Sequence, residues 1–166
     1  EAVRAHLKAA SLDCQLIDVE PHADARVARL ATPPAPDIIA LVDIGTRLHL
    51  SILDGDQLLY SRSERLAEGE SHHDMADANT QAIAIYQEGQ QADAPTAIEL
   101  LGGRADTRLA EALAAQVNTP VRCLAAVLPV GWIKTPATDG IEAKLPRLLT
   151  ALGLAMHAGA GDAHWR

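Results

Sequence analysis

The stretch from Asp37 to Arg62 constrains the fold most, because it contains three consecutive strand patterns joined by two tight turns. Ile38 to Val42 is a continuous apolar run, which is typical of a strand buried on both faces. Leu48 to Ile52 alternates apolar and polar residues, which predicts a strand with one wetter face. Leu58 to Arg62 predicts a third strand that returns antiparallel to the second. We therefore expect an antiparallel meander whose first strand lies at the centre of a sheet.

Each of the two turns contains a glycine. Gly55 lies between Asp54 and Asp56, the pattern of a hairpin turn that needs a positive φ. Gly45 follows Asp43 at the end of the first strand, and we expect it to adopt a positive φ as well. The carboxylate beside this glycine indicates that a functional site, if the chain has one, lies at the first turn.

Downstream of the meander, helix and strand patterns alternate. Ser71 to Glu88 predicts a helix that begins with a Ser-x-x-Asp capping box, and Gly89 is expected to end it. Its apolar face is expected to contain Met75, Ala78, Ala82, Ile85 and Tyr86. Further strands are expected at residues 97–101 and 120–124, and further helices at 106–117 and from about 145.

The resulting element order, βββαβαβα, is that of the ribonuclease H-like fold, which also underlies each half of actin-like ATPases. We therefore predict an α/β domain with a mixed five-stranded sheet and helices on both faces. Fold alone does not determine function, so the candidate site residues must decide it.

A proline run at residues 32–36 is the predicted boundary between two parts of the chain. Residues 1–31 are expected to form a helix, a strand over Cys14 to Val19 and a second helix, as the remnant of a preceding actin-like domain. Residues 37–157 are expected to form the ribonuclease H-like second domain, followed by a flexible tail at 158–166.

The same part ahead of the boundary carries a prediction about association. Because the proline linker is stiff, we expect the helices ahead of it not to fold back on the sheet, which would leave Val27 and Leu30 exposed. The strand expected there would have an unpaired edge. We therefore predict a homodimer formed through residues 1–31.

Composition argues against two classes of partner. With 14 Lys and Arg against 22 Asp and Glu, the formal net charge is -8, so the phosphate backbone of nucleic acids is not an expected ligand. No apolar run reaches the length of a membrane-spanning helix, so direct membrane insertion is not expected. Cys14 and Cys123 lie in apolar runs and are expected to be buried thiols.

Carboxylates and histidines raise three chemical alternatives. A nuclease with this fold needs three or four carboxylates around divalent metals, but only Asp43 is correctly placed and Glu99 is expected to point away from it. His73 and Asp77, one turn apart, indicate either a metal site or a solvated helix start, and we favour the helix start. His49 is expected to be structural. We predict no catalytic residue and no metal site.

Trp132, in a segment rich in proline and glycine, has two interpretations. It either caps the core, which we favour, or forms an exposed anchor for a partner.

Five short motifs follow one another along the chain, and a sixth precedes them. They are Leu41–Gly45, the Asp-Gly hairpin with Leu59–Arg62, Leu101–Gly103, Asn118–Val121 and Ala151–Ala155, preceded by Ser11–Val19. Together they resemble the C-terminal part of PilM-type pilus-assembly proteins, which include the MSHA pilus biogenesis relatives and belong to the actin-like ATPase superfamily. The resemblance covers most of the chain.

The resemblance implies nucleotide contacts for five residues. Asp43, Gly45 and Thr46 match the family's second phosphate-binding turn, and Gly102 and Gly103 match its adenosine-binding pair. The segment between the third strand and the glycine pair is shorter than in the family, and the partner phosphate loop is absent. We therefore expect no cofactor in this segment, and ATP only in an intact protein that includes a first domain.

The resemblance also implies a function. It indicates a cytoplasmic actin-like scaffold, not an enzyme, at the cytoplasmic face of the bacterial inner membrane. Its expected partner is an inner-membrane protein of a type IV pilus or related type II secretion platform. The alternative is an ATPase or sugar-kinase-like enzyme of the same superfamily, whose nucleotide site a missing first domain would complete.

Overall fold

The computed structural model describes residues 2–11, 19–31, 38–127 and 141–160. The helices are α1 (Ala2–Ala9), α2 (Glu20–Ala31), α3 (His72–Gln90), α4 (Thr107–Ala114), α5 (Leu124–Val127) and α6 (Ile141–Ala160). The strands are β1 (Ile38–Ile44), β2 (Arg47–Asp54), β3 (Gln57–Arg65), β4 (Ala97–Leu101) and β5 (Val121–Cys123).

The five strands form one mixed sheet in the order β3-β2-β1-β4-β5. β1 pairs antiparallel with β2 and parallel with β4, while β2 pairs antiparallel with β3 and β4 pairs parallel with β5. β1 is central because its apolar run, from Ile39 to Val42, is fully buried between neighbours on both sides. This arrangement confirms the predicted ribonuclease H-like α/β fold.

Helices cover both faces of the sheet, as predicted. On one face, α3 and α4 pack over a cluster that includes Val42, Leu50 and Leu100. On the other, α2, α5 and α6 pack over a cluster that includes Leu41 and Leu53. The alternation of side chains along each strand therefore separates two apolar cores.

The wetter face expected for β2 is only partly present. His49 is half-buried, but Ser51 is only 4% exposed. The prediction failed at Ser51 because this face of the sheet carries the second apolar cluster, to which the neighbouring Leu53 belongs. A polar residue in an alternating pattern thus does not by itself show that its face of the strand is exposed to solvent.

The expectation that Val27 would be exposed is wrong. α2 folds back against α6 and the sheet, so Val27 is fully buried, whereas Leu30 is 40% exposed as expected. Short side chains allow the two helices to approach closely, and the backbone of Ala23 lies directly against Gly153. The assignment of residues 1–31 to a preceding domain stays a prediction, although α2 shares a core with α6.

α3 begins as predicted and ends later. The Ser71 side chain accepts a hydrogen bond from the backbone N–H of Asp74, and the Asp74 carboxylate accepts one from the backbone N–H of Ser71. This reciprocal pair confirms the capping box. The helix continues through Gly89 and ends at Gln91, whose φ of 50° makes the left-handed cap. Ile85, expected on the apolar face, is 37% exposed, and Ile83 is buried instead.

Some expectations concern helix ends and others lie outside the described residues. α4 ends at Ala114, earlier than predicted, and α6 begins at Ile141, earlier than predicted. Apart from Val19, which directly precedes α2, the predicted strand of residues 14–19 is not described, and neither are the linker 32–36, Trp132 and residues 161–166. Cys123 is a buried free thiol, as predicted. No helix in the described ranges combines the length and apolar character needed to cross a membrane.

Candidate functional site

Asp43 lies near the end of β1, on the face of the sheet that α2 covers. Its carboxyl group meets those of Glu20 and Asp24, and one oxygen from each of the three lies within 4.8 Å of the others. Glu20 and Asp24 share one side of α2 because they are four residues apart. We call Glu20, Asp24 and Asp43 the carboxyl trio.

Burial controls the protonation of the carboxyl trio. Burial raises the pKa of Asp24 to about 7; a hydrogen bond from Thr150 Oγ1 to Asp24 Oδ1 (2.7 Å) opposes the rise, while the charges of Asp43 and Glu20 add to it. Burial, a side-chain hydrogen bond with Glu20 and the charge of Glu20 raise the pKa of Asp43 to about 6. Near neutral pH Asp24 and Asp43 therefore retain protons that isolated carboxylates would lose.

Carboxylate oxygens at this spacing also suit a divalent cation. Metal ligation requires deprotonated carboxylates, so a cation bound here would have to displace the protons that Asp24 and Asp43 retain. That the chain has no metal site stays a prediction.

The sequence pattern did not point to Glu20 and Asp24, because both precede the proline run that was interpreted as a domain boundary. One signal was present: Glu20, Asp24 and Val27 are spaced i, i+4 and i+7, which places the two acids on the same helix face as an apolar residue. Such a pair on a core-facing helix indicates a buried polar contact.

Gly102 packs directly against the carboxyl trio. Its φ is +93°, a conformation that favours glycine, and a Cβ atom there would overlap the Asp43 carboxylate and lie 2.7 Å from the backbone N and O of Ile44. Its N–H donates to the carbonyl of Pro146 in α6 (3.2 Å). Close packing of β4 against β1 therefore explains this glycine, and its nucleotide contact stays a prediction.

Gly103 is more exposed than Gly102 and faces α6. A Cβ atom at Gly103 would lie 2.9 Å from Nε of Arg147, whose flexible side chain can move. The predicted adenosine contact of Gly103 is likewise untested.

Gly45 and Thr46 line a cavity of about 600 Å³ that Asp43, Gly102 and Gly103 do not line. The five residues expected to form one nucleotide cleft are thus divided between two places. The cavity is lined by Gly45, Thr46, Arg47, Arg65, Leu66, Ala67, Glu68, Gly69 and Arg104, and we call it the arginine cavity.

The two turn glycines differ in conformation. Gly55 has a φ of +53°, as predicted. The positive φ expected for Gly45 is wrong, since positive values among the described glycines occur at Gly55, Gly69 and Gly102. Gly45 instead closes its turn by donating its N–H to the carbonyl of Arg47 (2.9 Å), and a Cβ atom at Gly45 would meet no heavy atom within 4 Å.

Three guanidinium groups line the arginine cavity, from Arg47 in β2, Arg65 in β3 and Arg104 after β4. Among the described residues, no carboxylate forms an ion pair with any of them. Other arginines of the chain do have such partners, as in the pairs Arg29–Asp56, Arg62–Glu64 and Arg122–Glu99. The cavity therefore concentrates positive charge in an acidic chain.

Glu99 does not point away from the face of Asp43, contrary to expectation. It lies beside Leu41 in the parallel register of β4 and β1, on the same face as Asp43. Its side chain is fully buried and forms an ion pair with Arg122 of β5. A nuclease of this fold would need Glu99 as a metal ligand. Here its carboxylate is buried and already paired with Arg122.

His49 contacts two groups that together resemble a catalytic triad. Its Nε2 lies 3.0 Å from Ser61 Oγ, and its Nδ1 lies 3.7 Å from Glu20 Oε2. The second distance exceeds hydrogen-bond reach, and Ser61 lies within a strand instead of at a turn that would present it to a substrate. The interpretation of His49 as structural is consistent with this geometry.

The two histidines at the start of α3 contact different acids. His72 Nε2 lies 3.1 Å from Asp106 Oδ2, and His73 Nε2 lies 3.7 Å from Asp77 Oδ2. All four side chains are at least 40% exposed. The geometry is that of a solvated helix start.

Comparison with known proteins gives a structural match without a sequence match. A chain of a solved PilM-PilN type IV pilus biogenesis complex superposes with a TM-score of 0.62 and 19% identity, covering 93% of this chain. The chain has a PilM-like fold. It spans 56% of the length of that relative.

Looser matches exist as well. Thermus thermophilus RuvC in complex with a Holliday junction substrate matches 75% of this chain and 96% of its own, with 16% identity and a TM-score of only 0.34. A superposition this loose supports no functional statement. No protein-family model and no curated protein sequence matches the chain.

Proposed function

We propose that this chain is part of a cytoplasmic actin-like scaffold in the assembly platform of a type IV pilus or related type II secretion system. In this proposal the scaffold binds an inner-membrane platform protein at the cytoplasmic face of the bacterial membrane and catalyses no reaction. The single observation that carries the proposal is the PilM-like fold, which extends over 93% of the chain.

Two features of the site support a scaffold over an enzyme. Glu99, the β4 carboxylate on the same face as Asp43, forms an ion pair with Arg122 instead of joining Asp43. The Ser61, His49 and Glu20 side chains lack the hydrogen bond that would orient the histidine as a base. These two features support the scaffold proposal.

Co-purification from bacterial membranes tests the proposal. The protein expressed from its complete gene should co-purify, after detergent extraction, with the platform protein that has a cytoplasmic segment and is encoded beside it. Deletion of the gene should abolish surface pili or secretion. Intact assembly in the deletion strain, with no co-purification, would contradict the proposal.

The second candidate is an ATPase or sugar-kinase relative, and the arginine cavity favours it, because Gly45 and Thr46 lie at a concentration of positive charge. Titration of Mg-ATP into this chain distinguishes the candidates. We expect no measurable binding or hydrolysis, since Gly102 and Gly103 do not line the same cavity. Micromolar ATP affinity would favour the enzyme.

A further inference from the structure

The arginine cavity combines two features that stability alone does not explain. Arg47 and Arg65 are directly opposite each other on the antiparallel strands β2 and β3. Like charges in this position destabilise a sheet. A third guanidinium, that of Arg104, lines the same cavity, and no described carboxylate pairs with any of the three.

A β-bulge produces this arrangement. The register of β2 and β3 shifts between Ile52 and Leu53, which leaves Leu59 as an extra residue in β3. If the register set at the hairpin turn continued without the shift, Arg47 would be opposite Glu64 and could form a cross-strand ion pair. The bulge replaces that favourable pair with Arg65. Bulges that redirect side chains in this way are common next to functional sites.

Two of the guanidinium groups donate hydrogen bonds within the chain and still have most of their N–H groups available to a ligand. Arg47 Nε donates to Ser63 Oγ (2.8 Å), and Arg104 Nη2 donates to the carbonyl of Glu70 (3.1 Å). Each of these contacts uses a neutral acceptor and one of the five N–H groups of its guanidinium. Arg47 and Arg104 are therefore oriented without an ion-pair partner. One acid, Glu68, lines the cavity against three arginines, so a net positive charge remains.

We infer that the arginine cavity binds an acidic peptide segment of a protein partner, with two or more carboxylates received by Arg47, Arg65 and Arg104. Arginine forks match carboxylates in a bidentate manner. This inference rests on the proposed scaffold function, for which it names the chemistry of one partner segment.

The shape of the site favours a peptide over a nucleotide. The cavity, at about 600 Å³, is much larger than one carboxylate or phosphate, and none of its nine lining residues is aromatic. A base could stack only on the guanidinium groups, which a nucleotide would also need for its phosphates. β3 is an edge strand of the described sheet, and Arg65 is its last residue. An extended chain lying along such an edge reaches the cavity at its end.

Fluorescence anisotropy with a labelled peptide of alternating glutamate and serine, about ten residues long, tests the inference on the 166-residue chain. A peptide of the same length with glutamine in place of glutamate is the ligand control. The chain should bind the acidic peptide and not the neutral one, and binding should weaken as salt rises from about 50 to 300 mM.

Charge reversal identifies the site. Arg65→Glu should weaken binding by about 100-fold. The change removes one guanidinium and places a carboxylate opposite Arg47, with which it can form an ion pair. Arg108→Glu, a change of the same charge at an exposed position outside the cavity, should leave the affinity within about twofold. Arg65→Glu should also melt no lower than the unsubstituted chain, because glutamate opposite Arg47 relieves the repulsion. Arg65→Gln serves if Arg65→Glu does not fold.

Three results with small ligands would overturn the inference: no binding of the acidic peptide, equal weakening by Arg65→Glu and Arg108→Glu, or ATP bound more tightly than the peptide and lost in Arg65→Glu. The last result would assign the cavity to a polyphosphate. Unimpaired binding of Arg65→Glu to the platform protein would overturn this inference and leave the scaffold function in place. Binding of the acidic peptide without any binding of the platform protein would do the reverse.

Discussion

At the scale of single residues, glycines in this chain have different requirements that the sequence does not distinguish. Gly45 and Gly102 both follow a strand of the parallel pair β1 and β4, and both were expected to contact nucleotide. Only Gly102 has a positive φ, and only Gly102 lies where a Cβ atom would overlap other atoms. Close approach of two backbones, which no local pattern encodes, makes the difference.

Alanine substitution should separate the two glycines. Gly102→Ala should lower the free energy of unfolding by about 2–4 kcal/mol, because the new Cβ meets the Asp43 carboxylate and the backbone of Ile44. Gly45→Ala should change it by less than about 0.5 kcal/mol. Urea denaturation of both variants is the measurement, and equal destabilisation by the two would contradict the assignment.

The carboxyl trio should make stability depend on pH. The folded-state pKa of Asp24 is about 7, against 3.8 for an ordinary aspartate, so between these values the folded chain binds more protons than the unfolded chain. The free energy of unfolding should therefore be highest near pH 4 and fall as pH rises to about 7, by roughly 3 kcal/mol.

Asp24→Asn should remove most of this slope. Asparagine keeps an oxygen that accepts from Thr150 Oγ1 and needs no proton, so the variant should be more stable than the unsubstituted chain at pH 8. Asp93→Asn, at an exposed position, is the control and should retain the slope. Urea denaturation from pH 4 to 8 measures both, and a slope that survives in Asp24→Asn would show that the proton is held elsewhere.

At the scale of elements, the strands could be predicted from the sequence, but the packing of α2 and α6 on the second face of the sheet could not. Alternation and turn chemistry predicted the strands β1 to β5 near their observed bounds. The position of α2 was mispredicted because the proline run at 32–36 was interpreted as an obstacle to folding back. Burial of Val27, Ala23 and Ala28 depends on α6, which is more than a hundred residues away in sequence.

The same limit explains what was missed at the site. Asp43 was expected at a site because it lies beside a strand-ending glycine, and its nucleotide contact stays a prediction. Its neighbours Glu20 and Asp24 were missed because they come from a helix assigned to another domain. Arg47 and Arg65 could have been paired from the Asp-Gly hairpin only by knowing of the bulge at Leu59, which shifts the register by one residue.

The contact between α2 and α6 gives a matched test with two helical glycines. A Cβ atom at Gly153 would overlap the carbonyl of Ala23 and lie 3.0 Å from its Cα, and backbone cannot move aside as a side chain can. Gly153→Ala should therefore destabilise the chain by about 2 kcal/mol. Gly89→Ala, in the last turn of α3 with no heavy atom near its Cβ position, should stabilise it by up to about 0.5 kcal/mol.

Thermal melting of the two glycine variants decides the matter. Opposite shifts in melting temperature are expected. If Gly153→Ala is also stabilised, α2 does not lie against α6 as described.

At the scale of the whole molecule, the sheet has two apolar cores, and α2 contributes to one of them. A chain that begins at residue 38 would lack α2 and expose part of the cluster that contains Ile39, Leu41 and Leu53. We expect this shortened chain to aggregate at micromolar concentration, because an uncovered apolar face of this kind drives association. Light scattering after size-exclusion chromatography measures it.

A monodisperse, folded monomer of the shortened chain would show that α2 is dispensable and would favour the original assignment of residues 1–31 to another domain. The predicted homodimer through residues 1–31 can be measured in the same experiment on the complete chain. Because Val27 is buried, a dimer would have to use other groups, such as the exposed Leu30 or Val19.

We propose that the PilM-like fold of this chain serves as a scaffold that binds a membrane platform protein. Isothermal titration calorimetry tests it most directly, with the cytoplasmic segment of the platform protein titrated into the protein expressed from its complete gene. We predict saturable binding at a stoichiometry of one segment per chain. The absence of binding heat, for a protein that melts cooperatively in the same buffer, would contradict the claim.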